Sequence, residues 1–193
     1  MRHGRTAWNA AKRFQGQSDV ALDDVGRVQA AATAKALATE PLDAIVSSDL
    51  ARALETARAI AAHHGLGAVP DARLREFAFG AWEGLTWDEI VARYPDDAGR
   101  SFSNVREYAP TGGERFAAVR ERVGEVLDAH RDAGARVAFV THAGALHALL
   151  DILVGDDEDV RRIRLTPASI TRLAMDGPRP RLLSLDDVRH LGD

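Results

Sequence analysis

The sequence contains no cysteine, which excludes disulfides, thiolate metal sites and cysteine nucleophiles. Lysine is nearly missing too, with Lys12 and Lys35 the only two. There is no dense Lys/Arg block, and the formal net charge is −4, so a broad basic face for nucleic acid is disfavoured. No apolar run is long enough to span a bilayer, and no charged-then-apolar leader stands out. These absences predict a cytoplasmic protein with no nucleic-acid partner and no membrane partner. The arginine bias reads for the most part as a general surface preference, so individual arginines have to be judged by position.

What is present fits an ordinary globular chain: 193 residues, 46% hydrophobic and 28% charged, predicting a single domain over residues 1–193. Asp23-Asp24 precede an Ala-rich helical pattern that stops before Pro41. Ala44-Ile45-Val46 reads as a buried strand ending at Ser47-Ser48, and Asp49 is expected to cap the next helix, which Gly65 ends. Thr86-Trp87-Asp88-Glu89 has capping-box spacing for a short helix up to Tyr94. Residues 96–113, rich in Asp, Ser, Pro and Gly, are expected to form a long loop of the lid or binding type. A helix carrying Phe116, Val119, Val123, Val126 and Leu127 follows, then a strand over Arg136–Val140 that runs into Thr141-His142-Ala143-Gly144 and an apolar helix ending near Gly155. Two alternating segments, Ser169–Met175 and Arg181–Leu185, predict a closing hairpin around Asp176-Gly177-Pro178. Strands alternating with helices argue for an α/β fold, a three-layer α/β/α sandwich around a mainly parallel sheet, with its functional crevice at the carboxyl ends of the strands.

Two histidines stand in similar settings, Arg2-His3-Gly4 and Thr141-His142-Ala143-Gly144, each followed by a glycine that would let a ligand approach the backbone. Either one alone reads as a loop histidine ordered by hydrogen bonding. The wider set changes that reading. Arg2-His3-Gly4-Arg5-Thr6 with Trp8-Asn9, Phe14-Gln15-Gly16 and Leu22-Asp23-Asp24-Val25-Gly26 are followed by Ser47-Ser48-Asp49-Leu50-Ala51-Arg52-Ala53 with Thr56-Ala57. Leu74-Arg75-Glu76, Phe79-Gly80-Ala81-Trp82-Glu83-Gly84, Gly112-Gly113-Glu114 and Val140-Thr141-His142-Ala143-Gly144 complete the series. This ordered set resembles the histidine phosphatase superfamily, the phosphoglycerate mutase-like proteins, over nearly the whole chain.

The resemblance implies a phosphomonoesterase that works through a phosphohistidine on His3. Arg2 and Arg52 would hold the phosphoryl oxygens with planar forks and favour the neutral imidazole that can attack phosphorus. His142 would act as a further donor in the transition state, with Asn9, Gln15 and Gly16 also at the substrate. Glu76 is the general acid by family position; spacing alone does not separate it from Glu83, for which a structural hydrogen bond is the preferred reading. The scheme needs no metal and no cofactor: His63-His64 reads as a solvated pair, and His142 and His147 have poor spacing for one site. The partner is a small-molecule phosphomonoester, and a homodimer stays open.

A phosphatase is preferred to a mutase because Thr86–Gly113 is short where mutases of the family carry a longer insertion. A non-catalytic phosphate binder comes last. Arg5 and Arg115, with Arg13 and Arg106 at the rim, are candidates for a second anionic group of the substrate, against an equal expectation that they are ordinary surface arginines. Trp8, Phe14, Trp82 and Tyr108 are read either as apolar walls or as core. Phosphatases acting on glucosyl-phosphoglycerate and on ribazole phosphate both resemble the chain, and its residues do not choose between them. Family members have an apolar strand directly before the first tripeptide, where this sequence has only Met1; that strand is therefore expected to be truncated, or the sheet to begin differently.

Overall fold

A computed structural model describes residues 1–103, 108–131, 134–155, 160, 162–177 and 180–192. Arg106 and Pro178, named above, lie outside the described residues. Three parallel strands, β1 (Ala44–Ser47), β2 (Ala68–Pro70) and β3 (Val137–Val140), pair in the order β2-β1-β3. Ile45 lies opposite Ala68 on one side and Ala138 on the other. β2 is too short and too exposed to leave a periodic trace in the sequence.

Because successive side chains of a strand point to opposite faces, β1 serves two cores. Ile45 packs with Ala34, Leu37, Ala53, Ala57 and Ile60, from α2 (Asp24–Leu37) and α3 (Ala51–His64). Val46 packs with Val119, Val123, Leu146 and Leu150, from α6 (Phe116–Ala129) and α7 (Ala143–Val154). Helices therefore cover both faces of the sheet, as the three-layer reading requires. The alternating segments near the C-terminus form an antiparallel hairpin of β4 (Ile170–Ala174) and β5 (Arg181–Asp187).

Met1–His3 runs alongside the end of β3. Arg2 bridges Thr141 in parallel sense, His3 N–H donates to Thr141 O at 2.9 Å, and Thr141 N–H donates to Met1 O at 3.0 Å. On the other side, Arg2 N–H donates to Ser169 O at 3.2 Å and Ala168 N–H to His3 O at 2.9 Å. This segment thus lies between β3 and the residues leading into β4. The α-amino group of Met1 donates to Phe139 O at 2.8 Å, and burial pushes its pKa down to about 5.

Two local expectations are corrected. Residues 96–113 are not all loop: α5 (Pro95–Ser103) follows α4 (Trp87–Arg93) almost directly, with Pro95 at its first position and Asp96 and Asp97 in its first turn, where proline and acidic residues suit a helix start. Asp49 does not cap α3. Its carboxylate takes a two-pronged ion pair from Arg75 at 2.6 and 2.7 Å, while the Ala51 N–H is met by Asp19 Oδ1 at 2.7 Å. The Thr86–Glu89 capping box forms around α4. No described helix is long and apolar enough to cross a membrane.

Candidate active site

His3 and His142 follow adjacent strand-like segments at the carboxyl end of the sheet, and their rings face each other with centroids 5.0 Å apart. Both are buried, His3 2% and His142 0% exposed. Burial is the main cause that holds both imidazoles well below the usual histidine pKa. The neighbouring Arg2 and Arg52 charges act in the same direction on each. Both rings are therefore neutral at neutral pH.

Hydrogen bonding fixes which nitrogen of each ring carries the proton. His3 Nδ1 lies 2.6 Å from Gly4 O; a carbonyl only accepts, so Nδ1 carries the hydrogen and Nε2 keeps its lone pair. For His142 the assignment is reversed. Arg52 Nε–H donates to His142 Nδ1 at 3.2 Å, so Nδ1 accepts and Nε2 carries the hydrogen.

Arg52 sits in the first turn of α3 and is fully buried, which removes its reading as a surface arginine. It also donates to Ser18 O at 2.8 Å and to Gly16 O at 2.7 Å. Three of its five N–H donors are thus engaged, leaving two for a ligand. Burial pulls its pKa down to about 10, with Glu76 the largest opposing influence, so it stays charged at neutral pH. Arg2 donates to Leu165 O. Arg2 Nε and His142 Nε2 are buried without a partner among the described residues.

Glu76, 8% exposed, stands on an irregular stretch between two short 3-10 turns, Ala72–Leu74 and Gly80–Trp82. Its carboxylate lies on the N-terminus of α7, directly after His142. Oε1 accepts from Phe77 N–H at 3.0 Å and Ala145 N–H at 3.2 Å, and Oε2 from Gly144 N–H at 3.1 Å. This contact explains Gly144, since a Cβ there would stand 2.5 Å from Glu76 Oε1. A Cβ on Gly4 would stand 2.6 Å from Gly26 O. Both glycines therefore make room for the protein itself rather than, as expected, for a ligand. Glu83 accepts from Gln17 N–H, Phe79 N–H, Ser18 N–H and Ser18 Oγ–H, which is a structural role.

The other candidates divide. Asn9 Oδ1 accepts from Thr6 N–H at 3.1 Å as part of the capping box of α1 (Ala7–Ala10), which leaves its amide nitrogen without a described partner. Gln15 accepts from Thr6 Oγ–H at 2.9 Å, and Gly16 contributes its carbonyl to Arg52. Arg5 is tied through Nε to Asp23 Oδ2 at 2.8 Å, an ion pair that engages one of its five N–H donors. Arg13 is likewise engaged, with Gly84 O and Glu89. Arg115 is exposed at the N-terminus of α6 and has no ion pair among the described residues. Phe14, Trp82 and Tyr108 belong to a small core with Ile90 and Ala98; Trp8 reaches Gly84. Among the described residues, no group of three His, Asp or Glu could hold a metal. Sequence reading missed Arg122 of α6, which a helical pattern leaves on the solvated side.

Residues 1–188 match the model of the histidine phosphatase superfamily, branch 1. A glucosyl-3-phosphoglycerate phosphatase of Mycolicibacterium vanbaalenii is 41% identical over 164 residues, 80% of this chain and 72% of that protein. A phosphoglycerate mutase-like protein 4 of Arabidopsis thaliana is 37% identical over 99% of this chain and 85% of its own. The structure of a mycobacterial glucosyl-3-phosphoglycerate phosphatase complexed with VO3 superposes with a TM-score of 0.85 at 34% identity, covering 96% of each chain. With that match extending over almost all of its length, the chain belongs to the histidine phosphatase superfamily.

Proposed function

We propose that this protein hydrolyses a small-molecule phosphomonoester through a phosphohistidine on His3. The observation that carries the reading is the opposite protonation of two facing imidazoles: a lone pair on His3 Nε2 and a hydrogen on His142 Nε2. The first is a nucleophile and the second a donor to a phosphoryl oxygen. Arg2 Nε, the spare N–H groups of Arg52 and the Asn9 amide supply further donors, so the dianion's charge is offset before attack.

In the first step His3 Nε2 bonds to phosphorus as the P–O ester bond breaks. Glu76, in its acid form, gives its proton to the departing alkoxide. Glu76 Oε2 accepts a single N–H and so has room for that proton. In the second step the Glu76 carboxylate takes a proton from water as the water oxygen bonds to phosphorus. The P–N bond breaks, its electron pair returns to Nε2, and free phosphate leaves. The short Thr86–Gly113 stretch favours water over a bound product as acceptor, hence hydrolysis over mutase chemistry. By analogy with the glucosyl-3-phosphoglycerate phosphatase relative, the substrate carries a carboxylate, and Arg115, exposed and without an ion pair among the described residues, is a candidate to bind it.

Rapid quenching with labelled substrate is expected to trap an acid-labile, alkali-stable phosphoryl group on His3. His3→Ala should lose about three orders of magnitude or more in kcat/KM; near-normal turnover in that variant ends the assignment. With 3-phosphoglycerate, fast isomer interchange and little free phosphate would favour the mutase. A screen of phosphomonoesters repeated with Arg115→Ala should show preference lost for carboxylate-bearing substrates alone.

A further inference from the structure

Glu76 lies in a segment that no helix or sheet ladder holds, yet a general acid has to be placed to within a fraction of an ångström. The chain on either side of it is fastened instead by one guanidinium. Arg122 NH1 donates to Arg73 O at 2.7 Å and to Arg75 O at 2.6 Å. Its NH2 donates to Glu76 O at 2.9 Å and Glu114 Oε2 at 3.0 Å, and its Nε to Glu114 Oε1 at 3.1 Å. All five donors of the arginine are therefore engaged, three on backbone carbonyls around the acid and two on one carboxylate.

Glu114 extends the clamp downstream. Its Oε2 also accepts from Ala78 N–H at 2.8 Å and from Gln17 Nε2 at 3.2 Å, and Gln17 donates to Glu76 O at 3.2 Å. Burial works against the Glu114 carboxylate, but the bonds from Arg122, Ala78 and Gln17 outweigh it and hold its pKa below the usual glutamate value. The acid is thus gripped at both ends: its side chain by the start of α7, its backbone by a residue of α6. A lysine, with its donors on a single atom, cannot span three carbonyls and a carboxylate.

We propose that Arg122, anchored by Glu114, is a positioning residue for Glu76, aligning the acid for proton transfer to the leaving oxygen. The proposal rests on the assignment of Glu76 as general acid. It predicts that loss of Arg122 hurts substrates in proportion to their need for that proton. β-Glycerol phosphate releases an alkoxide that must be protonated; p-nitrophenyl phosphate releases an anion stable without it.

Arg122→Met is expected to lower kcat/KM about 10- to 100-fold on β-glycerol phosphate, and less than about threefold on p-nitrophenyl phosphate. Arg122→Lys should show the same selective loss, and Glu114→Gln a weaker form of it. Should Arg122→Met fail to fold by thermal melting, the ratio of the two substrates in those two variants decides. Equal loss on both substrates, or no loss on either, overturns the proposal. Glu76→Gln is measured alongside. If it is selective and the Arg122 variants are not, only the positioning role falls; if it is not selective, the acid assignment fails and the positioning role goes with it.

Discussion

His3 and His142 take no proton near neutral pH because burial and two guanidiniums oppose a further positive charge beside them. Chemistry and stability are linked through that fact. Above about pH 6.5, the ordinary histidine value, folded and unfolded chains both hold these imidazoles neutral, so the two histidines add no pH dependence there. Below it the unfolded chain binds protons that the folded chain refuses. Stability is therefore expected to fall with decreasing pH by about 1.4 kcal/mol per pH unit for each of the two histidines, down to the lowered pKa of the folded state. Denaturant titrations between pH 6.5 and pH 5 check this. His3→Asn should flatten the slope by about one proton, and an unchanged slope would contradict the buried neutral state. The residue types at the site were legible in the sequence as Arg2, His3, Arg52, Glu76 and His142. The tautomers were not, because His142 takes its assignment from an arginine 90 positions away. Nor was the engagement of Arg5, since its partner Asp23 lies beyond a turn the sequence does not describe.

At the scale of elements, most boundaries followed from apolar period, caps and glycine stops, and the exceptions have local causes. The Asp-, Ser-, Pro- and Gly-rich composition of 96–113 concealed α5, although Pro95, Asp96 and Asp97 are good helix-start residues. For α3, Asp49 was the nearest capping residue in sequence, but Arg75 draws it away and Asp19 reaches in from a loop 32 positions upstream. Long-range ion pairs of this kind override a local signal. The helices also show where stability can be gained. Gly124 lies within α6, and an added Cβ would rest 3.4 Å from the flexible end of Ile152. Gly124→Ala is expected to stabilise the fold by about 0.5–1 kcal/mol, read from the denaturation midpoint at unchanged slope. A loss of stability there would mean that the α6–α7 contact cannot yield even slightly.

For the whole molecule, alternation of strands and helices made the layered α/β arrangement legible, and the opposite-face packing of Ile45 and Val46 bears it out. Two features had no sequence signature: the edge strand β2, and the seat of Met1–His3 between β3 and the residues before β4. That seat has a consequence in time. Met1 meets Phe139 across 138 positions of chain, and His3 is held by Thr141 and Ala168. Bringing such distant segments together costs loop entropy before any contact rewards it, whereas the helices form from neighbours. On dilution from denaturant, helical circular dichroism should therefore return ahead of phosphate release. In the interval the chain would have most of its secondary structure while His3 is not yet seated.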